Sequence, residues 1–209
     1  LNQKDFKEIH FKGTGTDLKV GLADDHEWMG GASMAQNGVI CNPNIPSEEV
    51  FTTPHALRVE GYVSSTKPLS HQGTLIDNIR VVFEKGNITD AKASKGETVL
   101  KKVLESDEGA RRLGEVALVP NSSPISNSGL LFYNTLFDEN AACHIALGQC
   151  YSKCFKGETN LSLSEIRERG GNSSMIHIDW MIGSGEIDID GFGKNGEIVP
   201  IFRKGEWVD

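Results

Sequence analysis

Short runs of alternating apolar and polar residues, each closed by a turn bearing glycine or asparagine, recur along this chain and commit much of it to hydrogen-bonded sheet. Phe6-Lys-Glu-Ile-His-Phe11 and Thr16-Asp-Leu-Lys-Val-Gly-Leu22 flank Gly13-Thr-Gly15 and predict a β-hairpin. Leu57 to Val63 and Thr74 to Phe83 have the same texture, and the chain then turns at Glu84-Lys-Gly86-Asn and returns through Ile88. Glu186-Ile-Asp-Ile-Asp-Gly191 and Gly196-Glu-Ile-Val-Pro-Ile-Phe202 predict a last hairpin ending at Trp207, and antiparallel pairing follows from such short connections.

Helical spacing enters in three places. Ser94 to Leu104 carries Val99, Leu100, Val103 and Leu104 on one face, and Asp107 to Arg112 suggests a short helix or turn. Ala141 to Cys154 is the strongest helix candidate, with Asp138-Glu-Asn140 as capping residues. Leu113 to Val119 and Ser174 to Ile182 are strand-like, whereas residues 30–49 and 121–129 have the composition of loops. With no linker, repeat or low-complexity block, the expectation is one α+β domain over residues 1–209. It is a mixed, largely antiparallel, barrel-like sheet with a few flanking helices.

Charge narrows the function. Lys and Arg total 21 against 29 Asp and Glu, a net charge of -8, which argues against a nucleic-acid or anionic-membrane partner. No apolar run reaches membrane-spanning length and no signal-type segment opens the chain. Four scattered cysteines fit a reduced, cytoplasmic setting. Leu1 in place of Met suggests a domain cut from something longer.

Ligand-type side chains concentrate in a few places. His177 and Asp179, two apart on a predicted strand, share a face, while Ile176 and Ile178 face the core. His144 and Tyr151, seven apart on the predicted helix, align over two turns, with Glu139 in the turn before it. Glu115 interrupts an apolar run where an unpaired carboxylate is costly, and Glu48 and Glu49 stand together in a loop poor in charge. Glu49, Glu115, Glu139, His144, His177 and Asp179 form an oxygen-rich set with two imidazoles, suited to Zn, Co, Mn or Mg rather than to a thiolate site. Six ligands exceed the need of one tetrahedral ion and suit a carboxylate-bridged pair. Each residue also has an ordinary structural reading. Glu139 can cap a helix, Glu115 can pair with Arg111 or Arg112, Tyr151 can be core, and His177 with Asp179 can be a hydrogen-bonded pair.

Other motifs carry less. His26-Glu27-Trp28 lacks the second histidine of a zincin helix, and Asp188-Ile-Asp190-Gly191 lacks the later acids of a calcium loop. No Gly-x-Ser-x-Gly elbow is present, and Cys143 and His144 point to different faces.

Four segments in order carry a resemblance. They are Asn44-Ile-Pro-Ser-Glu-Glu-Val-Phe-Thr52, Arg112-Leu-Gly-Glu-Val-Ala-Leu-Val119, Leu136-Phe-Asp-Glu-Asn-Ala-Ala-Cys-His-Ile-Ala-Leu-Gly148 and His177-Ile-Asp-Trp-Met-Ile-Gly183. The sequence resembles the thermophilic metalloprotease family of aminopeptidases from near Phe11 to Trp207, and it is similar to the C-terminal half of such enzymes. The resemblance implies a two-metal exopeptidase acting on peptides, a cytosolic homodimer, and an N-terminal domain of the same polypeptide that this chain lacks. It also implies Glu49, Glu115, Glu139, His144, His177 and Asp179 as ligands and Tyr151 as a catalytic tyrosine. Glu48, if not itself a ligand, is the candidate general base. A non-catalytic metal-binding fragment and a two-metal hydrolase of another bond, such as a phosphoester, stand as alternatives. Few Arg or Lys residues stand near the ligands, with Lys153 and Lys156 the nearest downstream, which disfavours a phosphate substrate.

Overall fold

The first alternating runs form the predicted hairpin, β1 (Phe6–Gly13) and β2 (Thr16–Leu22), in a computed structural model that describes residues 1–42, 44–45, 48–157 and 161–208. Residues 30–49 are largely irregular. They carry only two-residue strands, β3 (Met29–Gly30), β4 (Ser33–Met34) and β5 (Ile40–Cys41), and positions 43, 46 and 47 of this predicted loop lie outside the described residues. β6 (Val50–Thr52) and β7 (Pro54–Ser64) follow. The predicted strand from Thr74 to Phe83 is divided, because Asp77 and the left-handed Asn78 (φ 50°) turn the chain between its halves. The pieces are β8 (Leu69–His71) with β9 (Thr74–Ile76), and β10 (Arg80–Glu84) with β11 (Asn87–Lys92).

Helix α1 (Glu97–Leu104) buries Leu100 and Leu104, as its spacing requires, and leads through a 3₁₀ turn at Glu108–Arg111 into β12 (Leu113–Leu118). The polar segment 121–129 contains a short helix, α2 (Pro124–Ser128), because the Ser123 hydroxyl caps it and Pro124 opens it. Helix α3 (Thr135–Asp138) runs into a 3₁₀ turn at Glu139–Ala141.

The helix predicted over Ala141–Cys154 is absent. In its place stand β13 (His144–Gly148) and a 3₁₀ turn at Ser152–Cys154. β13 is buried along its whole length, so it lacks the two-residue alternation that marks a strand, and its apolar run carries the signal of either element. Gly148 (φ 101°) ends it with a backbone no helix contains, and a Cβ there would lie 2.1 Å from the Ile176 carbonyl oxygen. Helix α4 (Leu163–Glu168), with a Ser162/Glu165 capping box, then β14 (His177–Met181), β15 (Asp188–Gly193), β16 (Ile198–Arg203) and β17 (Glu206–Trp207) complete the chain.

Every strand pairing among the described residues is antiparallel. One sheet runs β11-β10-β7-β2-β1-β15-β16-β17 and has two open ends, so it is not a closed barrel. A second runs β14-β13-β12-β6-β3. A continuous apolar cluster joins them, with Phe11, Val20, Val63, Phe83 and Phe202 from the large sheet meeting Val116, Leu118, Ile145, Leu147 and Trp180 from the small one. No helix among the described residues is long and apolar enough to cross a membrane.

The small sheet therefore has one face in this core and a second face to be accounted for. Pairing fixes which residues share it. Glu115 pairs with Ala146 and Ala146 with Asp179; Phe51 pairs with Ala117, Ala117 with His144 and His144 with Met181; His177 pairs with Gly148. Leu113 and Glu115, two apart, would normally point the same way. A bulge between them, where Leu113 pairs with Leu147 and Glu115 with Ala146, lets Leu113 enter the core while Glu115 turns to the opposite face.

Gly114 sits at that bulge, and a Cβ there would lie 2.3 Å from the Gln149 carbonyl oxygen and 2.5 Å from that of Gly148. Gly114→Ala is expected to destabilise the fold by about 1–3 kcal/mol, the usual range for overpacking. Gly30→Ala, whose Cβ would meet nothing within 4 Å, serves as the control. Urea unfolding midpoints for the two variants check this, and equal midpoints would remove the steric role assigned to Gly114.

Candidate metal centre

Three strands, the residue before a fourth and one turn deliver the acidic and imidazole groups to the outer face of the small sheet. Glu115 projects from β12, His144 from the start of β13 and His177 and Asp179 from β14, while Glu49 immediately precedes β6. Glu139 arrives from the 3₁₀ turn after α3, before a strand rather than before the predicted helix. Small residues, Ala117, Ala146 and Gly148, occupy the sheet between them and leave room above the backbone.

The turn bearing Glu139 is pinned by its neighbours. The buried Asp138 carboxylate accepts from the backbone N–H groups of Phe132 (2.7 Å) and Asn134 (3.1 Å), and the Asn140 amide donates to the Leu136 carbonyl (3.0 Å). From across the cavity, the Asn44 amide donates to both Glu139 Oε1 (2.9 Å) and the Leu136 carbonyl (2.7 Å). Sequence reasoning quoted Asn44 within a motif and gave it no role. Its signal is only its place beside the acids.

The groups converge closely. His144 Nε2 lies 3.1 Å from Glu49 Oε1 and 4.0 Å from Glu115 Oε1, and His177 Nε2 lies 3.1 Å from Glu115 Oε2 and 3.4 Å from Asp179 Oδ1. Glu115 thus turns one oxygen to each histidine. Both imidazoles are oriented from behind: Nδ1 of His144 donates to the Ala142 carbonyl (3.1 Å) and Nδ1 of His177 to that of Gln149 (2.7 Å), which leaves each Nε2 facing the carboxylates.

Three overlapping sets, Glu49/Glu115/His144, Glu115/His177/Asp179 and Glu139/His144/Asp179, each keep their donor atoms within 4.8 Å of one another. Together they contain the six ligands expected from the sequence and no other described residue. His144 Nε2, His177 Nε2 and Asp179 Oδ1 are also buried without a hydrogen-bond partner, although carboxylates lie within ion-pair distance. Donor atoms that crowd together yet do not align on one another fit a shared cation.

The two remaining expected residues are placed differently. Tyr151 lies in the connection after β13 rather than on a helix face with His144, and its ring packs on that of His177, centroids 4.8 Å apart. It lines a cavity of about 150 Å³ with Asn44, Glu49, Phe51, Glu115, Glu139 and Lys153. Glu48 is exposed beside Glu49 and belongs to none of the three sets. Neither Arg111 nor Arg112 pairs with Glu115; their guanidinium groups donate to the carbonyls of Ile88 and of Ala56 and Lys85. The Cys143 thiol bonds to the backbone of Val119, away from this face. Asp190, on β15, pairs with Arg203 on β16 and takes no part in a cation loop.

Residues 1–207 match the thermophilic metalloprotease (M29) family. This chain belongs to that family. It is 55% identical over 208 residues to aminopeptidase T of Thermus aquaticus and 51% identical to aminopeptidase 2 of Geobacillus stearothermophilus. In both cases the match covers 100% of this chain and 50% of the relative, so the chain spans about half the length of these proteins. The solved structure of wild-type AmpT from Thermus thermophilus superposes with a TM-score of 0.94 at 53% identity, covering 100% of this chain and 51% of that one. A dihydroxypyridine dioxygenase from Pseudomonas putida KT2440, at TM-score 0.58 and 15% identity over 99% of this chain and 56% of its own, shares the fold.

Membership of a metalloprotease family implies a divalent metal, and the protonation of this cluster indicates what a cation held here would displace. Burial opposes charge on both histidines, but the surrounding carboxylates override it and raise His144 to about 10 and His177 to about 11. Burial, then the charge of Asp179, lifts Glu139 to about 8, and burial likewise raises Glu115. Without a cation the cluster therefore keeps protons that an ion would replace.

Two outcomes follow. A folded-state pKa above the unfolded value stabilises the protein below the unfolded value and loses that contribution as the pH climbs through the folded one. For the histidines that loss runs from 6.5 to about 10 and 11, and for Glu139 from 4.5 to about 8. The metal-free protein is expected to lose stability progressively as the pH rises from 4.5 to about 11, while metal affinity rises as the protons leave. Melting curves with chelator and with Zn²⁺ or Mn²⁺ should separate further at the higher pH, and a gap that narrows would contradict the scheme. Asn44→Ala, which removes the donor to Glu139, is expected to weaken metal binding about tenfold in competition with a chromogenic chelator.

Proposed function

We propose that this chain is the C-terminal, metal-binding half of a cytoplasmic, homodimeric aminopeptidase that releases N-terminal amino acids from peptides using two divalent ions. The observation that carries this reading is the pair of ligand sets sharing Glu115, whose two oxygens face two different histidines. Glu115 so disposed would help to hold two ions, one beside each histidine, better than one. The relatives named aminopeptidases supply the substrate class, and their double length supports an N-terminal domain that completes the protein.

Glu49, Glu115, Glu139, His144, His177 and Asp179 would hold the ions, as zinc, cobalt, manganese or magnesium. When bound, such ions lower the pKa of water and polarise a peptide carbonyl. Tyr151 keeps its proton firmly, because burial and then the charges of Glu115 and Asp179 push its pKa up. It therefore acts as a hydrogen-bond donor to the oxyanion that develops on the carbonyl, not as a base. Glu48, exposed and next to a ligand, takes the proton of the attacking water and passes it to the leaving amine. A bound ion, or an acid not engaged as a ligand, would hold the α-amine of the peptide at the floor of the cavity, which restricts cleavage to the first residue.

In the full polypeptide with added Co²⁺, Zn²⁺ or Mn²⁺, His144→Ala or Asp179→Ala is expected to abolish release of leucine from a leucyl anilide. Tyr151→Phe should lower kcat about 100-fold, and Glu48→Gln by a similar or larger factor. A generic phosphoester is expected to remain uncleaved. Full activity in the His144 or Asp179 variant, or phosphoester cleavage in place of anilide cleavage, would refute the assignment.

A further inference from the structure

One cation stands at the mouth of the acid-lined cavity. Among its described lining residues Lys153 is the single lysine or arginine, facing Glu49, Glu115 and Glu139 across a space of about 150 Å³. Its ammonium lies 4.7 Å from the centre of the Phe51 ring and 5.2 Å from that of Tyr151, and among the described residues it forms no ion pair. Both rings belong to the site: Phe51 shares the ligand-bearing face of the small sheet, and Tyr151 packs on His177. Lys153 itself is exposed and follows Tyr151 on the 3₁₀ turn Ser152–Cys154. A cation held over two aromatic faces keeps its charge and a preferred position without a salt bridge that an incoming anion would have to break.

In the loaded enzyme two divalent ions would offset the four ligand carboxylates on the floor, which leaves the ammonium at the rim as the uncompensated charge of the cavity. A short peptide cut at its first bond lays its amino end at the floor and its carboxylate end towards that rim. We propose that Lys153 is a specificity residue that binds a carboxylate on the leaving side of the scissile bond and biases the enzyme towards substrates that carry one there. The inference rests on the aminopeptidase reading above, which sets the amino end at the floor. Two sources of that carboxylate are chemically equivalent: the free C-terminus of a dipeptide and an acidic side chain on its second residue.

The test compares kcat/KM for Leu-Gly with a free C-terminus, Leu-Gly amide and Leu-Asp amide in the metal-loaded full polypeptide. The wild type is expected to prefer the free acid over the amide by about fivefold, the scale of an exposed ion pair. That ratio should fall towards one in Lys153→Met, which keeps the aliphatic stem, invert in Lys153→Glu and survive in Lys153→Arg. Leu-Asp amide behaving like the free acid assigns the contact to either carboxylate, and behaving like Leu-Gly amide assigns it to the C-terminus alone. An acid-to-amide ratio unchanged across all three variants overturns the proposal, leaving Lys153 as packing for Tyr151. A wild type that cleaves neither these peptides nor a leucyl anilide overturns the aminopeptidase reading instead, and the specificity role with it.

Discussion

A single glycine allows one strand to face two opposed environments. Without the bulge at Gly114, Leu113 and Glu115 would share a face, and either a leucine would crowd the polar cluster or a carboxylate would enter the apolar core. With it, β12 gives Leu113, Val116 and Leu118 to the core and Glu115 to the candidate cation site. The paired strands follow suit: Ile145 and Leu147 face inward from β13 and His144 faces outward, while Ile178 and Trp180 face inward from β14 and His177 and Asp179 outward. The outer face is thus set by the register of the inner one, and an error in packing would be felt at once as a displaced ligand.

That arrangement has an energetic cost, which is why the cluster is informative. Four carboxylates and two imidazoles share a buried surface where desolvation opposes every charge. In the metal-free state the histidines relieve it by holding protons and Glu139 by staying neutral. A protein selected only for stability would fill this face with apolar residues of similar volume. Positive charge brought from outside, such as the divalent metal that the metalloprotease family implies, would offset the repulsion among these acids.

Much of the fold was legible because it is local. The hairpins of β1–β2, β10–β11 and β15–β16 are written in alternation and turn residues, and α1 in the spacing of Leu100 and Leu104. The candidate cluster was legible for a different reason: each of its side chains alone had an ordinary structural reading, and it was the four motifs carrying the family resemblance that picked out the six residues the fold brings together. What misled was β13. A strand covered on both faces loses its two-residue period, and Ala-Ala-Cys-His-Ile-Ala-Leu then has the composition of a buried helix. The bulge at Gly114, the pinning of the Glu139 turn by Asp138, and the reach of Asn44 across 95 residues to Glu139 are tertiary facts with no local signature.

The order in which the six side chains occur along the polypeptide, from Glu49 to Asp179, bears on how the protein matures. No two neighbouring strands of the site are joined by a tight hairpin, and β14, the edge strand that brings His177 and Asp179, is the last of them to be synthesised. Contacts so distant in sequence close late in folding, after loop-closure entropy has been overcome by the apolar cluster beneath them. A cation arriving early would find only fragments of its coordination sphere. A metal held by these six side chains would then act as a clasp fastened on a finished sheet rather than as a seed around which the sheet condenses.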